Sequence, residues 1–191
     1  GIYPTPVVGM IGLLEDERTC TTAGFKKPGD AVVLLGETRE ELGGSEYLAA
    51  IQKCLLGPAP RLDLERERAV QATCLEAIRE GLVRSAHDCS EGGLAIALAE
   101  CSLISGLGAS LQLLESVRPD ALLFGESQSR IIVSLKEKDL NRLREIAEKE
   151  GAPMQVIGEV GGSRLVVHPL IRLPVDELKS IWSSSLEKRM R

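Results

Sequence analysis

The order of elements in this chain turns on Ser85-Ala86-His87-Asp88-Cys89-Ser90-Glu91-Gly92-Gly93-Leu94. It reads as a short strand that delivers an acid, then a hydroxyl and two glycines, straight into a helix. Such a strand-to-helix turn can hold a phosphate or its metal, because backbone N–H groups at a helix start point outward and glycines let a ligand approach. The same residues have a plainer reading, in which Ser90 caps the helix while Asp88 and Glu91 complement its dipole.

Working outward, the segment before this stretch is an amphipathic helix over residues 64–82. Val70, Cys74, Ile78 and Leu82 recur every four positions, and Glu65, Arg66, Glu67, Arg68, Glu76 and Arg79 hold the other face. Gly81 near its end suits C-capping, and residues 83–87 form the strand that reaches Asp88. On the other side, Leu94, Leu98, Cys101 and Ile104 give the following helix an apolar stripe that ends near Gly106. Further strands are expected over residues 31–35, 109–113, 130–135, 154–160 and 164–168, and helices from Ser45 through Cys54, over residues 139–150 and after Pro174. The last of these is expected to bury Leu178 and Trp182. Residues 121–124 fit either state. Strands and helices interleave without strict alternation, which predicts an α+β fold, a mixed sheet with packed helices, rather than a doubly wound parallel sheet.

At the N-terminus the chain opens on Gly1, not Met, and residues 7–14 are already strand-like, with Pro4 and Pro6 suiting a linker into that strand. The expectation is a piece of a longer polypeptide.

With 191 residues, 43% hydrophobic and 27% charged, one domain with a substantial core is expected. One Trp, two Tyr and two Phe leave no aromatic platform for stacking bases, and a net charge of -5 disfavours a polyanion, so nucleic acid is not the expected partner. No run approaches the roughly 18 apolar residues of a membrane-spanning helix. The five cysteines include no C-x-x-C pair and are odd in number, which favours reduced thiols; without a spanning run or a signal peptide's charged and apolar regions, a cytoplasmic location is expected. His87 and His168 are too few for a histidine-rich zinc site.

Two stretches carry candidate chemistry. In the first, the Asp88 carboxylate is a hard oxygen ligand of the kind magnesium takes beside phosphate oxygens. The second is Gly125-Glu126-Ser127-Gln128-Ser129-Arg130, where an acid, hydroxyls, an amide and a guanidinium stand at the mouth of a strand; the alternative is a solvated loop. Cys89 beside a helix start and His87 on the same strand face offer a weak case for a reactive thiol, against which His87 reads more simply as a packed, hydrogen-bonded residue. Lys26-Lys27 reads as a solvated turn, and Arg61, Arg66 and Arg68 as exposed charge patterning.

Taken together, Tyr3-Pro4-Thr5-Pro6-Val7-Val8-Gly9, Gly29-Asp30 before an apolar strand, Leu42-Gly43-Gly44-Ser45-Glu46-Tyr47, Ser85 to Leu94 and Gly125 to Arg130 resemble the phosphoribosylformylglycinamidine synthase family. These blocks span nearly the whole chain in the family's order. The resemblance implies the C-terminal domain of the second half of that ATP-dependent amidotransferase, in the aminoimidazole ribonucleotide synthetase (PurM-like) superfamily. The implied sheet has about four core strands with packed helices and is partly ferredoxin-like. Residues 1–30 would be the strand and linker left from a preceding N-terminal domain, and residues 31–191 the C-terminal domain.

In such enzymes ATP activates the amide oxygen of formylglycinamide ribonucleotide, and ammonia from a glutaminase domain or subunit displaces phosphate to give the amidine. Carried over by position, the resemblance implies Asp88 as a ligand of Mg2+ and Ser90, with Gly92 and Gly93, as contacts of an auxiliary nucleotide. It also implies Glu126, Ser127 and Gln128 as a substrate or pseudo-substrate pocket. Glu91 stands where the family commonly has aspartate. The implied partners are the N-terminal domains of the same parent chain and the glutaminase, and the fragment alone is expected to be inactive. The alternative is a non-catalytic scaffold whose pocket is empty or holds a structural nucleotide. Sister enzymes of the superfamily are not expected to carry residues 42–47 and 125–130 in these forms.

Overall fold

Five apolar residues in succession, Ala31 to Leu35, give a strand no side that tolerates water, so it must be covered on both faces. A computed structural model describes residues 8–14, 16, 17, 20–113 and 117–190 of the chain and places this strand near the middle of the sheet. In chain order the elements are β1 (Asp30–Leu35), α1 (Leu64–Arg79), β2 (Val83–Asp88), α2 (Gly93–Ser105), β3 (Ala109–Gln112) and α3 (Pro119–Phe124). They continue with β4 (Ile131–Lys136), α4 (Leu140–Glu150), β5 (Met154–Val160), β6 (Arg164–His168), β7 (Ile171–Pro174) and α5 (Val175–Met190).

The seven strands form one sheet in the order β2-β4-β1-β5-β3-β6-β7. All neighbours are antiparallel except β3 and β6, which run parallel. The first four strands with α1 and α4 make a β-α-β-β-α-β unit with its strands in the ferredoxin-like order, so the partly ferredoxin-like expectation holds. The connection from β2 to β4 carries α2, β3 and α3, and β3 extends the sheet beyond β5.

Alternation along β1 feeds two cores. Val32 and Leu34 join Ile132, Ile157 and the α2 residues Leu94, Leu98 and Cys101 on one face. Val33 and Leu35 join Val133, Leu135, the α1 residues Val70, Cys74 and Ala77, and the α4 residues Leu143, Ile146 and Ala147 on the other. Each pair of alternate residues thus anchors a different helix layer. Among the described residues no helix is long and apolar enough to cross a membrane.

Several expectations change. From Ser45 onward the chain makes only a π-helical turn, Leu48–Gln52, where Leu48 N donates to Ser45 Oγ and Lys53 in a left-handed conformation ends it. The ambiguous 121–124 segment is part of α3, started by Pro119 at its first position and fixed by stacking of Phe124 on Tyr47 at 5.0 Å between ring centroids. Sequence reading misses β7, whose four residues are too few to show a period and gain their place by pairing with β6.

The expected strand over residues 7–14 is absent from its described part, 8–14, where Val8 is 81% exposed. Among the described residues ahead of β1, Thr22 bridges to Ser85 on β2, beyond the apolar stretch. Pro4, Pro6 and Val7 lie outside the described residues. Trp182, expected to be buried, is 65% exposed, because α5 packs at Val175 and Leu178 while its later turns face solvent.

One polar interaction inside the fold is costly to break. Asp30 at the start of β1 is 2% exposed and accepts from Arg84 on β2, and its second oxygen has no partner among the described residues. Removing one member of such a pair strands a buried charge. Replacing Arg84→Met is expected to lower the unfolding free energy by about 3 kcal/mol in a urea titration, and adding Asp30→Asn to recover part of that loss.

Candidate functional site

The end of β2 is set by its pairing with β4, Asp88 opposite Ile131, and Cys89 N then donates to Arg130 O at 3.0 Å. From there the chain reverses through Ser90 to Gly93, closed by Gly93 N donating to Ser90 O at 3.0 Å. Gly92 and Gly93 both have positive φ, 78° and 69°. A Cβ on Gly93 would stand 2.4 Å from Gly125 O, so the turn passes too close to the end of α3 for any side chain. At Gly92 it is the positive φ, with Ile96 of α2 standing 2.5 Å from where a Cβ would be, that calls for glycine.

Gly92 occupies the N-cap of α2 without a side chain to cap it. Ser90 does not serve as the cap; its residue is exposed, and the orphan donor at Gly92 is met from elsewhere, by Glu126 Oε1 at 2.9 Å. The same oxygen accepts from Glu46 N at 2.9 Å. Ser127 Oγ accepts from Arg39 N at 3.1 Å. Glu126 and Ser127 therefore spend their side chains on backbone groups of neighbouring loops.

Asp88, Ser90 and Gln128 are brought together on the wall of a cleft of about 290 Å³, shared with Glu67, Gln71 and Ser129. The Asp88 side chain is 72% exposed, 3.4 Å from His87 Nδ1, and His87 Nε2 is 2.9 Å from Glu100 Oε2. His87 is thus a packed, hydrogen-bonded residue. Arg130 also lines the cleft but is 2% exposed; its Nε donates to Ser127 O at 2.9 Å, Nη1 to Thr38 Oγ1 at 3.1 Å and Nη2 to Gly125 O at 2.6 Å. One guanidinium therefore grips the carbonyls on both sides of Glu126.

Sequence reasoning missed Glu67 and Gln71, the first of which meets Ser129 of the second candidate stretch. Gln71 Nε2 donates to Glu67 Oε1, and Ser129 Oγ to Glu67 Oε2, which joins α1 to the strand mouth. The available signal was the i, i+4 spacing of Glu67 and Gln71, which the charged face of α1 concealed. Arg66 on the same helix reaches Glu37 at 3.4 Å.

Cysteine chemistry does not belong to this site. Burial pushes the Cys89 thiol up to about 11, with the Arg130 charge acting the other way and Asp88 adding to the rise. Burial likewise takes Cys74 to about 11 and Cys101 to about 12. All five cysteines are free thiols. Among the described residues no three His, Cys, Asp or Glu side chains converge as a metal cage. A single exposed carboxylate suits a cation that keeps most of its waters and takes its other ligands from phosphate.

A mixed sheet of this topology with a glycine turn at the end of β2 defines a domain class that comparison with known proteins makes specific. Residues 27–168 match the family described as AIR synthase related protein, C-terminal domain, and the chain belongs to that family. It is 49% identical over 189 residues to the phosphoribosylformylglycinamidine synthase subunit PurL of Moorella thermoacetica, covering 97% of this chain and 26% of that protein. The corresponding subunit of Anaeromyxobacter sp. strain Fw109-5 is 45% identical over 202 residues, again with 26% of its length covered. The chain thus spans about a quarter of the curated relatives it matches. Among solved structures, Thermotoga maritima PurL complexed with FGAR superposes with a TM-score of 0.73 at 25% identity, over 85% of this chain and 30% of that one. The same protein complexed with ATP gives 0.66 at 26% identity, over 85% of this chain and 28% of that one.

The thiols supply a direct check. At pH 8, alkylation followed by mass spectrometry is expected to label exposed Cys20 in the native state, with Cys74, Cys89 and Cys101 labelled only after denaturation. Their folded-state values lie above the ordinary value of 9.0, so the stability they contribute is present below pH 9.0 and declines as pH rises through about 11 for Cys74 and Cys89 and about 12 for Cys101.

Proposed function

We propose that this chain is the C-terminal domain of the second half of a phosphoribosylformylglycinamidine synthase. In the parent enzyme, ATP drives conversion of formylglycinamide ribonucleotide and glutamine-derived ammonia to the amidine, a C–N ligation in purine biosynthesis. The observation that carries this reading is the cleft uniting Asp88, Ser90 and Gln128 in a chain 49% identical to such a subunit. Within the parent, residues 1–30 lead in from a preceding nucleotide-binding domain and residues 31–191 form this domain. The domain alone is inactive, since it supplies one wall of an interdomain pocket. The setting is cytoplasmic, in keeping with five free thiols. A solved PurLQS assembly from Thermotoga maritima, TM-score 0.65, supports a parent that works with a glutaminase subunit or domain.

The residues fit a nucleotide with Mg2+. The outward-facing Asp88 carboxylate would hold the cation, which when bound offsets phosphoryl charge. The Ser90 hydroxyl would donate to phosphate oxygens, the Gly92 and Gly93 N–H groups being engaged by Glu126 Oε1 and Ser90 O, and the Gln128 amide in the same cleft would orient the ligand. Buried Arg130, part of the cleft lining, adds fixed positive charge there.

A second reading, a scaffold copy holding a structural nucleotide, is favoured by one observation: Glu126 and Ser127 are already engaged with backbone groups. The full-length protein is expected to form the amidine from ATP, ammonia and formylglycinamide ribonucleotide, and absence of that product overturns the family assignment of activity. In that protein Asp88→Ala is expected to weaken Mg-ADP binding by about tenfold or more with a melting temperature nearly unchanged, as for an exposed side chain. Turnover then separates the two readings: lost turnover at unchanged folding marks a catalytic pocket, and unchanged turnover with a lowered melting temperature marks the scaffold.

A further inference from the structure

We infer that Glu126 is a positioning residue that sets the nucleotide-facing turn, instead of a ligand-contacting member of the pocket; this rests on the nucleotide reading given above. One carboxylate oxygen, Oε1, accepts from Gly92 N and from Glu46 N, each at 2.9 Å. It therefore joins the first turn of α2 to the start of the π-helical segment. Its own backbone is fixed independently: Glu126 N donates to Glu41 O at 3.2 Å, and Arg130 holds the carbonyls of Gly125 and Ser127 on either side. The carboxylate is thus aimed by a buried guanidinium and has little freedom to turn toward a ligand.

Two residues that line the cleft, Ser90 and Gln128, depend on this residue. Gly92 belongs to the turn closed by Gly93 N and Ser90 O, so a shift at Gly92 carries Ser90 with it. Gln128, which lines the same cleft, donates from Nε2 to Glu126 O at 3.2 Å, so its amide is referenced to the same residue. The negative charge also sits at the positive end of the α2 dipole, where it favours this arrangement. What the site needs from Glu126 is an acceptor at the Oε1 position, not a second oxygen or a charge on the ligand.

That distinction is testable, since glutamine keeps an Oε1 acceptor and alanine removes it. In the full-length protein, Mg-ADP affinity measured by titration calorimetry is expected to stay within about twofold for Glu126→Gln and to fall about tenfold or more for Glu126→Ala. Hydrogen exchange, measured without nucleotide, is expected to rise at peptides containing Glu46 and Gly92 in the alanine variant only. If Glu126→Ala fails to fold, Glu126→Asp, one methylene too short to reach Gly92, takes its place. Wild-type affinity in the alanine variant overturns the inference. So does loss of binding in Glu126→Gln with exchange at Gly92 unchanged, which would make the carboxylate a direct ligand. A wild-type protein that binds no Mg-ADP overturns the nucleotide reading instead, and the exchange measurement still decides whether Glu126 holds the turn.

Discussion

Burying a guanidinium is tolerable only where its donors are met, and at Arg130 that requirement organises the mouth of the sheet. Its side chain reaches Gly125 O, Ser127 O and Thr38 Oγ1, which fixes the loop between α3 and β4 against the loop after β1. With those carbonyls held, Glu126 is presented to Gly92 and Glu46, and Ser127 to Arg39. Three loops distant in sequence become one rigid rim. The turn after Asp88 inherits its shape from that rim.

Beneath the rim, the sheet supplies the rigidity. β1 is buried on both sides, so its alternate residues commit α2 to one face and α1 with α4 to the other. A strand in that position cannot slip by one residue without exchanging the two cores. The register of β2 on β4, and with it the position of Asp88, follows from β4 pairing with β1. The acid at the candidate site is therefore placed by long-range strand pairing, although it lies next to the helix start in sequence.

Much of this was legible beforehand where a period or a steric demand is local. The four-residue stripe of Val70, Cys74 and Ile78 marked α1, and the all-apolar run of β1 announced a strand covered twice. The paired glycines at 92 and 93 marked the turn. Trp182 misled because hydrophobicity argues for burial without saying which surface does the covering, and here α5 outruns the surface that could cover it. The apolar residues of 8–14 misled in the same way. Glu67 was hidden among charges that read as solvated, since nothing in the spacing of α1 tells which part of its polar face meets β4 and which meets water.

The sequence by itself determined the types of most elements, the α+β class and the glycine turn that follows Asp88, because each rests on residues within one or two turns of one another, and the family likeness, which rests on blocks spread along the chain. Tertiary structure alone decided what the strand-mouth acid does. Glu126 is 34 residues from Gly92 and 80 from Glu46, and Ser127 is 88 from Arg39. No local pattern encodes which backbone donors a carboxylate will meet over such separations. That depends on where the strands bring the loops, and at Gly92 the need to satisfy a buried N–H then assigns the acceptor.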